Sequence, residues 1–516
     1  MRSLVHRHWT TAYMVACAVV IIAVCGHRAA TTSFTHDEAI SFLRYPQLSV
    51  SNLLNHSEAY TNNHLLNSLG MKGSMALFGT SDLSLRLPNL LALLLYLVYT
   101  ALLIRRCHPL VVLAGFPLLF TNVYFMEMFT LARGYGLSYG FLAMAIYHAS
   151  RAIGAKGNGH LALFHLASVL ATLSNFTLLT GYLAVFGAYL IGTAAVARAE
   201  RKGWEALRPL AQTNSLLLVA AFIVLCTPIR RVREANTLNF GGKASFYSDT
   251  VSTLIDGMVP GVSLQGERMV IAWVIVTAVV AFAIAIALVR LWKQGAVPFL
   301  AAHAGLVVSS FTVVIIGIGA YAQHLVFGVD HLHARFALFM LVPLLLCFIL
   351  LMGYWAERRP LAPIVITAAA CLWAVPRFAQ HFGTYRSWEW GYDSQTKEGV
   401  DALMADREQV WRRDGFVQLG IRWMHEPTMN YYRITRKLDW LCELDREGLR
   451  PDDDYRYVMD TVAVASIGFD TVAVFPHART LLLRRAPDAQ MDSISDQEPR
   501  TEDIHPHEPV PEAQPE

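Results

Sequence analysis

Charge is what this 516-residue chain has little of: 16% of its residues are charged, while 54% are hydrophobic. Mean hydropathy is +0.39. Soluble domains carry about 25% charged residues, so the composition is that of a membrane protein. The net charge of +3 is too small for a nucleic-acid partner, and the basic residues fall in short clusters between apolar runs, as in membrane loops. A disulfide framework is also missing. Of the seven cysteines, Cys17, Cys25, Cys107, Cys226, Cys347 and Cys371 lie in or beside apolar runs, and Cys442 stands alone in the polar C-terminal region. No Gly-rich phosphate loop follows a strand, so the chain shows no Rossmann pattern for a nucleotide sugar. The apolar runs hold almost no charge in their interiors and no repeat relates the two halves. That disfavours a membrane transporter or flippase, which stands as the alternative function, with an inactive scaffold as a third.

What the chain does have is a series of apolar stretches long enough to cross ~30 Å of hydrocarbon. They lie near residues 10–26, 87–104, 109–126, 134–150, 160–176, 177–197, 212–229, 269–290, 297–319, 335–355 and 361–378. The expected fold is a polytopic α-helical membrane protein with about eleven transmembrane helices. With the N-terminus (Arg2, Arg7) cytoplasmic, the alternate loops carry Arg105-Arg106, then Arg151 and Lys156, then Arg198, Arg201, Lys202 and Arg208, then Arg290 and Lys293, then Arg358-Arg359. Every cluster then lands on the cytoplasmic side. Residues 27–86, the 230–268 loop and everything after 378 fall outside. A cleaved signal peptide is the rival reading of the first run, which ends at His27-Arg28 rather than at a small-residue cleavage site; the sidedness is the same either way.

The chain divides into a transmembrane unit (1–378), an extracytoplasmic α/β unit (379–485) and an acidic, Pro-rich tail (486–516) too poor in large apolar residues to bury a core, hence expected to be disordered. The first external loop, 27–86, predicts one helix opening at Thr35 and a second from about Leu65 to Leu77. The outer unit predicts a helix over 394–412 and strands at 416–423, 455–459, 471–475 and 480–483.

Three clusters carry chemistry. His36-Asp37-Glu38 follows the first run; Thr35-x-x-Glu38 is a capping box that occupies Glu38, while Asp37 has no cap partner. Asn62-Asn63-His64 opens the second loop helix, where a helix N-terminus disfavours cationic His, so His64 is expected neutral and available for hydrogen bonding or a metal. External arginines form the third: Arg133, Arg230, Arg231 and Arg335 run against the charge bias, and each either snorkels to headgroups or joins in binding a lipid phosphate. His331 and His333 are weaker metal candidates, as two histidines without a third ligand.

These residues resemble the GT-C superfamily of membrane glycosyltransferases over roughly residues 10–378. The resemblance rests on His36-Asp37-Glu38 after the first run, then Asn62-Asn63-His64-Leu65-Leu66-Asn67, and then Phe78-Gly79-x-Ser81-x-Leu83-x-Leu85-Arg86-Leu87-Pro88 before the second. Further along come Ala132-Arg133-Gly134-Tyr135-Gly136-Leu137-Ser138 after the third, and Ala334-Arg335-Phe336 followed by Pro343. The chain is most similar to the bacterial branch that resembles protein O-mannosyltransferases and lipid A aminoarabinose transferases. The resemblance implies transfer of a sugar from a polyprenyl-phosphate donor, undecaprenyl phosphate in a bacterium, to a glycan, lipid or protein acceptor outside the inner membrane. It places an inverting displacement on Asp37 as base, with Glu38 beside it and Arg133, Arg230, Arg231 and Arg335 on the lipid phosphate. His36, Asn63 and His64 would orient the acceptor or bind a divalent ion, although the family includes members that need no metal. Two departures, His before the Asp-Glu pair and Asn-Asn-His in place of a Lys-Pro element, mean that donor sugar and acceptor do not carry over.

Overall fold

The computed structural model describes residues 2–58, 62–154, 157–234, 241–260, 262, 264–292, 295–383, 387–411, 415–461 and 467–486. Among them, eight helices are long and apolar enough to cross a membrane: His8–Thr31, Asp82–Ile104, Leu178–Ala199, Trp204–Glu234, Glu267–Trp292, Ala296–Phe327, Ala334–Ala356 and Leu361–His381. Three more helices, Pro109–Leu118, Gly134–Ala152 and Gly159–Ser174, account for the remaining apolar runs. The chain is a polytopic helical membrane protein with a small C-terminal sheet unit.

One run departs from its expected course. The stretch 109–126 is helical only to Leu118, just past Pro117, and resumes as the single turn Val123–Glu127. Asn122 restarts it, its Oδ1 accepting the Phe125 N–H at 2.8 Å, as an N-cap does. The buried residues after Glu127 are non-helical as far as Arg133, which membrane depth tolerates only where protein surrounds the backbone. Glycines then allow close packing. A Cβ on Gly140 would lie 2.6 Å from the Ala92 carbonyl oxygen of the second long helix, and one on Gly134 would lie 1.9 Å from the Ser174 carbonyl oxygen. No side chain fits at either place.

Both loop helices form where the sequence predicts them, as His36–Arg44 and Leu65–Phe78. In the outer unit the helix Thr396–Asp406 continues as a π turn, Arg407–Trp411. Four strands follow: β1 (Leu419–Ile421), β2 (Tyr455–Met459), β3 (Phe469–Phe475) and β4 (Thr480–Arg485), in the order β1-β2-β4-β3. β1 and β2 run parallel, the other pairs antiparallel. A helix absent from the sequence reading, Glu426–Thr435, connects β1 towards β2. The tail expected to be disordered lies outside the described residues from 487 onward.

The C-terminal unit is not a separate bead. Phe34, Ala39, Phe42, Met71, Leu85 and Ala132 of the membrane unit share one buried core with Val400, Leu403, Met429, Tyr431, Tyr432 and Tyr457. Tyr431 stacks on Phe34 with centroids 4.0 Å apart and meets Phe42 edge-on at 5.1 Å, while its hydroxyl donates to Asp82 at 2.7 Å. Tyr431→Ala should cost about 3 to 5 kcal/mol, as for other buried aromatics. Hydrogen exchange checks the sharing: protection should fall in residues 34–44 as well as in the outer unit, and a loss confined to residues 396–486 would contradict a common core.

Candidate active site

The site is built outward from the end of the first membrane helix. Arg86, near the start of the Asp82–Ile104 helix, is fully buried. It donates to the carbonyls of Ala29, Thr32 and Ser33 at 2.9 Å each, the first an acceptor that the helix leaves open at its C-terminus and the other two in the chain just past it. Its Nε and Nη2 then hold the two oxygens of Glu38 at 2.8 Å each. Glu38 also accepts the Thr35 N–H at 3.0 Å and the Ala132 N–H at 2.5 Å. Glu38, which the resemblance set beside the base, is 0% exposed here and sits within this anchor.

That anchor delivers its neighbours to one another. Ala132 is tied to Glu38, so Arg133 meets Asp37: its Nη2 lies 3.2 Å from Asp37 Oδ2 and its Nη1 donates to Ser41 Oγ at 2.9 Å. Arg335, two hundred residues on in sequence, reaches the same Oδ2 at 3.3 Å. Oδ2 is buried between the two guanidiniums, so the 14% exposure of the Asp37 side chain lies on its other atoms. Burial pushes the Asp37 carboxyl up, but the Arg133 and Arg335 charges outweigh it and hold the group below the usual carboxylate range. Asp37 is therefore a carboxylate at any physiological pH.

His64 lies beneath. Burial, then the Arg133 charge, holds its imidazole well below the ordinary range, so the ring is neutral. Nδ1 donates to the Ser174 carbonyl at 2.8 Å, which leaves Nε2 as a buried lone pair with no hydrogen-bond partner. The ring packs edge-on to Tyr135 at 4.9 Å.

Arg335 has partners on each of its three nitrogens and stays 19% exposed. Its guanidinium lies between the rings of Phe336 and Trp390, 5.3 Å from each centroid. Nε donates to the Tyr135 hydroxyl at 3.0 Å, and Nη1 forms an ion pair with Glu389, whose other oxygen accepts from the Tyr124 hydroxyl at 2.6 Å. The segment carrying Glu389 is tied down at both ends. Ser387 and the Trp388 N–H bond to Glu127, which pairs with Arg28, and Asp393 accepts the His36 N–H at 2.7 Å.

Other candidates fall elsewhere. His36 faces the outer unit, its Nδ1 donating to the Met424 carbonyl at 2.7 Å. Asn63 is 1% exposed and spends its amide on Ser68 and His56 within its own loop. Neither reaches Asp37 in the structure. Arg230 and Arg231 are exposed at the end of the Trp204–Glu234 helix, Arg230 in an i,i+4 pair with Glu234 at 2.7 Å; the structure does not bring them to the Asp37 cluster. Arg133 is 1% exposed and contacts the loop through Asp37 and Ser41. His331 stacks on His324 at 4.1 Å and His333 meets the Asp249 carbonyl at 3.3 Å. Among the described residues no three His, Cys, Asp or Glu side chains gather as a metal site, so the donor set offered by His64, His331 and His333 does not assemble.

Sequence reasoning missed Glu127, Glu389 and Asp393. One signal was present for Glu389: an acid between two tryptophans, Trp388-Glu389-Trp390, soon after the last apolar run, where aromatics mark a membrane edge.

No protein-family model matches the chain, and no curated protein matches it. Among solved structures, ArnT from Cupriavidus metallidurans in the apo state is similar, with a TM-score of 0.44 at 13% identity over 92% of this chain and 97% of that one. ArnT from the same organism bound to undecaprenyl phosphate has the same score and identity over 93% and 98%.

Arg86→Met tests the anchor. It keeps much of the volume but leaves Glu38 buried and unpaired, at a cost of about 3 to 5 kcal/mol. Thermal unfolding in detergent should show a lowered Tm or no folded protein; an unchanged Tm would mean the pair is dispensable.

Proposed function

We propose that the chain is a membrane glycosyltransferase, moving a sugar from a polyprenyl-phosphate donor to an acceptor on the extracytoplasmic face. The observation that carries this reading is the Asp37 carboxylate just past the end of a membrane helix, one oxygen clamped by two guanidiniums and the side chain 14% exposed through its other atoms. A base and a guanidinium suited to phosphate, Arg335, are thereby adjacent just past the end of a membrane helix. The charge map of the loops supports the outer face, and the sequence resemblance supports the reaction class.

The reaction needs few parts. The acceptor hydroxyl attacks the anomeric carbon, the bond from that carbon to the phosphate oxygen breaks, and the phosphate leaves with the bonding electrons. Asp37 takes the hydroxyl proton. A carboxyl with a depressed pKa is a weak base, so the proton moves late, once the attacking oxygen is bonding to carbon and has become acidic. The leaving group is already an anion and needs positive charge rather than a proton; Arg335 supplies it, aligned by Tyr135 and the flanking rings. Single displacement inverts the anomeric centre. Arg133 holds Asp37 in place, and the neutral His64 adds no third positive charge to the two guanidiniums.

Asp37→Asn keeps the shape of the side chain and removes the base. Transfer in reconstituted vesicles should fall by about 10²-fold or more while the protein still folds; near-normal transfer would sink the assignment. The base is present above a folded pKa that lies below the ordinary Asp value of about 3.9, so kcat/KM should show no acid-side fall between about pH 5 and about pH 7. A limb in that window would assign the base to another group.

A further inference from the structure

We propose that Glu389 is a specificity-determining residue of the donor site: its carboxylate holds the place of the donor phosphate on Arg335 and, after transfer, displaces the polyprenyl monophosphate product. This rests on the lipid-phosphate reading above.

Of the two guanidiniums on Asp37, Arg133 is 1% exposed, with its Nη nitrogens turned to Asp37, Ser41 and the Asn62 carbonyl and its Nε buried without a partner. Arg335 is the one open to an incoming ligand, with 19% of its side chain exposed. The nitrogen of Arg335 not used by Asp37 or Tyr135 is the one that Glu389 occupies. Glu389 is itself 24% exposed, on the segment from Ser387 to Asp393 that leads from the last membrane helix to the outer unit. Glu127 fixes the start of that segment and His36 its end. Between these anchors Glu389 can leave Arg335 while Tyr124 keeps hold of its other oxygen. The carboxylate is tethered, and a tethered competitor acts at an effective concentration in the millimolar range.

Charge explains why a competitor is needed. Asp37, Arg133, Arg335 and Glu389 sum to zero. The donor is a phosphodiester with one negative charge. Transfer breaks the bond between sugar and phosphate, sends the acceptor proton to Asp37, and leaves a monoester whose second pKa is about 6, so that it carries about −1.5 to −2 at neutral pH. The product therefore binds Arg335 more tightly than the donor did. A carboxylate waiting beside the same guanidinium opposes the doubly charged ligand more strongly than the singly charged one, because the repulsion scales with the ligand's charge. Glu389 thus discriminates against the product.

The test is direct binding to the full chain in detergent micelles. The probes are a polyprenyl monophosphate and its monomethyl ester, which keeps the donor's single charge. In Glu389→Gln the monophosphate should bind about tenfold tighter and the methyl ester only slightly tighter. Glu389→Ala, which leaves no amide to bond Arg335, should tighten the monophosphate at least as much. Weaker or unchanged binding of the monophosphate in both variants would overturn the proposal, since a merely structural Glu389 cannot improve affinity for one charge state alone. Failure of the wild-type protein to bind either lipid would instead overturn the lipid-phosphate reading itself. Inorganic phosphate at the lipid concentration should not compete; competition would place a free anion, not a lipid, on Arg335.

Discussion

The buried pair between Arg86 and Glu38 is the constraint on which the site depends. Taken alone such a pair stabilises little, because two charges have been removed from water. Its value here is in what else it holds. Arg86 closes the carbonyls at the end of the first membrane helix, and Glu38 takes the N–H of Thr35 and that of Ala132. Three pieces of chain far apart in sequence are thereby fixed at one point. Asp37 and Arg133 are the immediate neighbours of two of those contacts, so their ion pair follows from the anchor's geometry.

The outer unit extends the same logic. Its tyrosines fill the core under the Asp37 helix, the Tyr432 hydroxyl accepts the Phe34 N–H at 2.8 Å, and Asp393 accepts the His36 N–H at that helix's first turn. A carboxylate at a helix N-terminus takes up a donor that the helix itself leaves free. The unit thus packs against the site, and the segment leading to it brings Glu389 to Arg335. The membrane and C-terminal parts share one buried core.

Much of this was legible in the sequence, for local reasons. Thr35-x-x-Glu38 marks a helix start through the reach of one side chain over three residues, and the loop helix from Leu65 and the strand β2 follow from periodicity. Asp37 stood out because the capping box left it without a partner. What was not legible depends on contacts between distant segments. Arg133 and Arg335 are recognisable as unusual external arginines, but so are Arg230 and Arg231, and only the packed bundle separates the pair that meets Asp37 from the pair at an exposed helix end. Glu127 and Glu389 were hidden for the same reason. The run 109–126 reads as one span because composition does not register that Pro117 and Asn122 divide it.

The central claim is that a lipid phosphate binds at Arg335 beside an ionised Asp37. A cryo-electron microscopy map of the full chain with a polyprenyl monophosphate tests it most directly. The account predicts phosphate density within about 3 Å of the Arg335 guanidinium, Glu389 turned away from it, and Asp37 still clamped by Arg133. Phosphate density at another cationic position, with the Arg335–Glu389 pair intact, would contradict it.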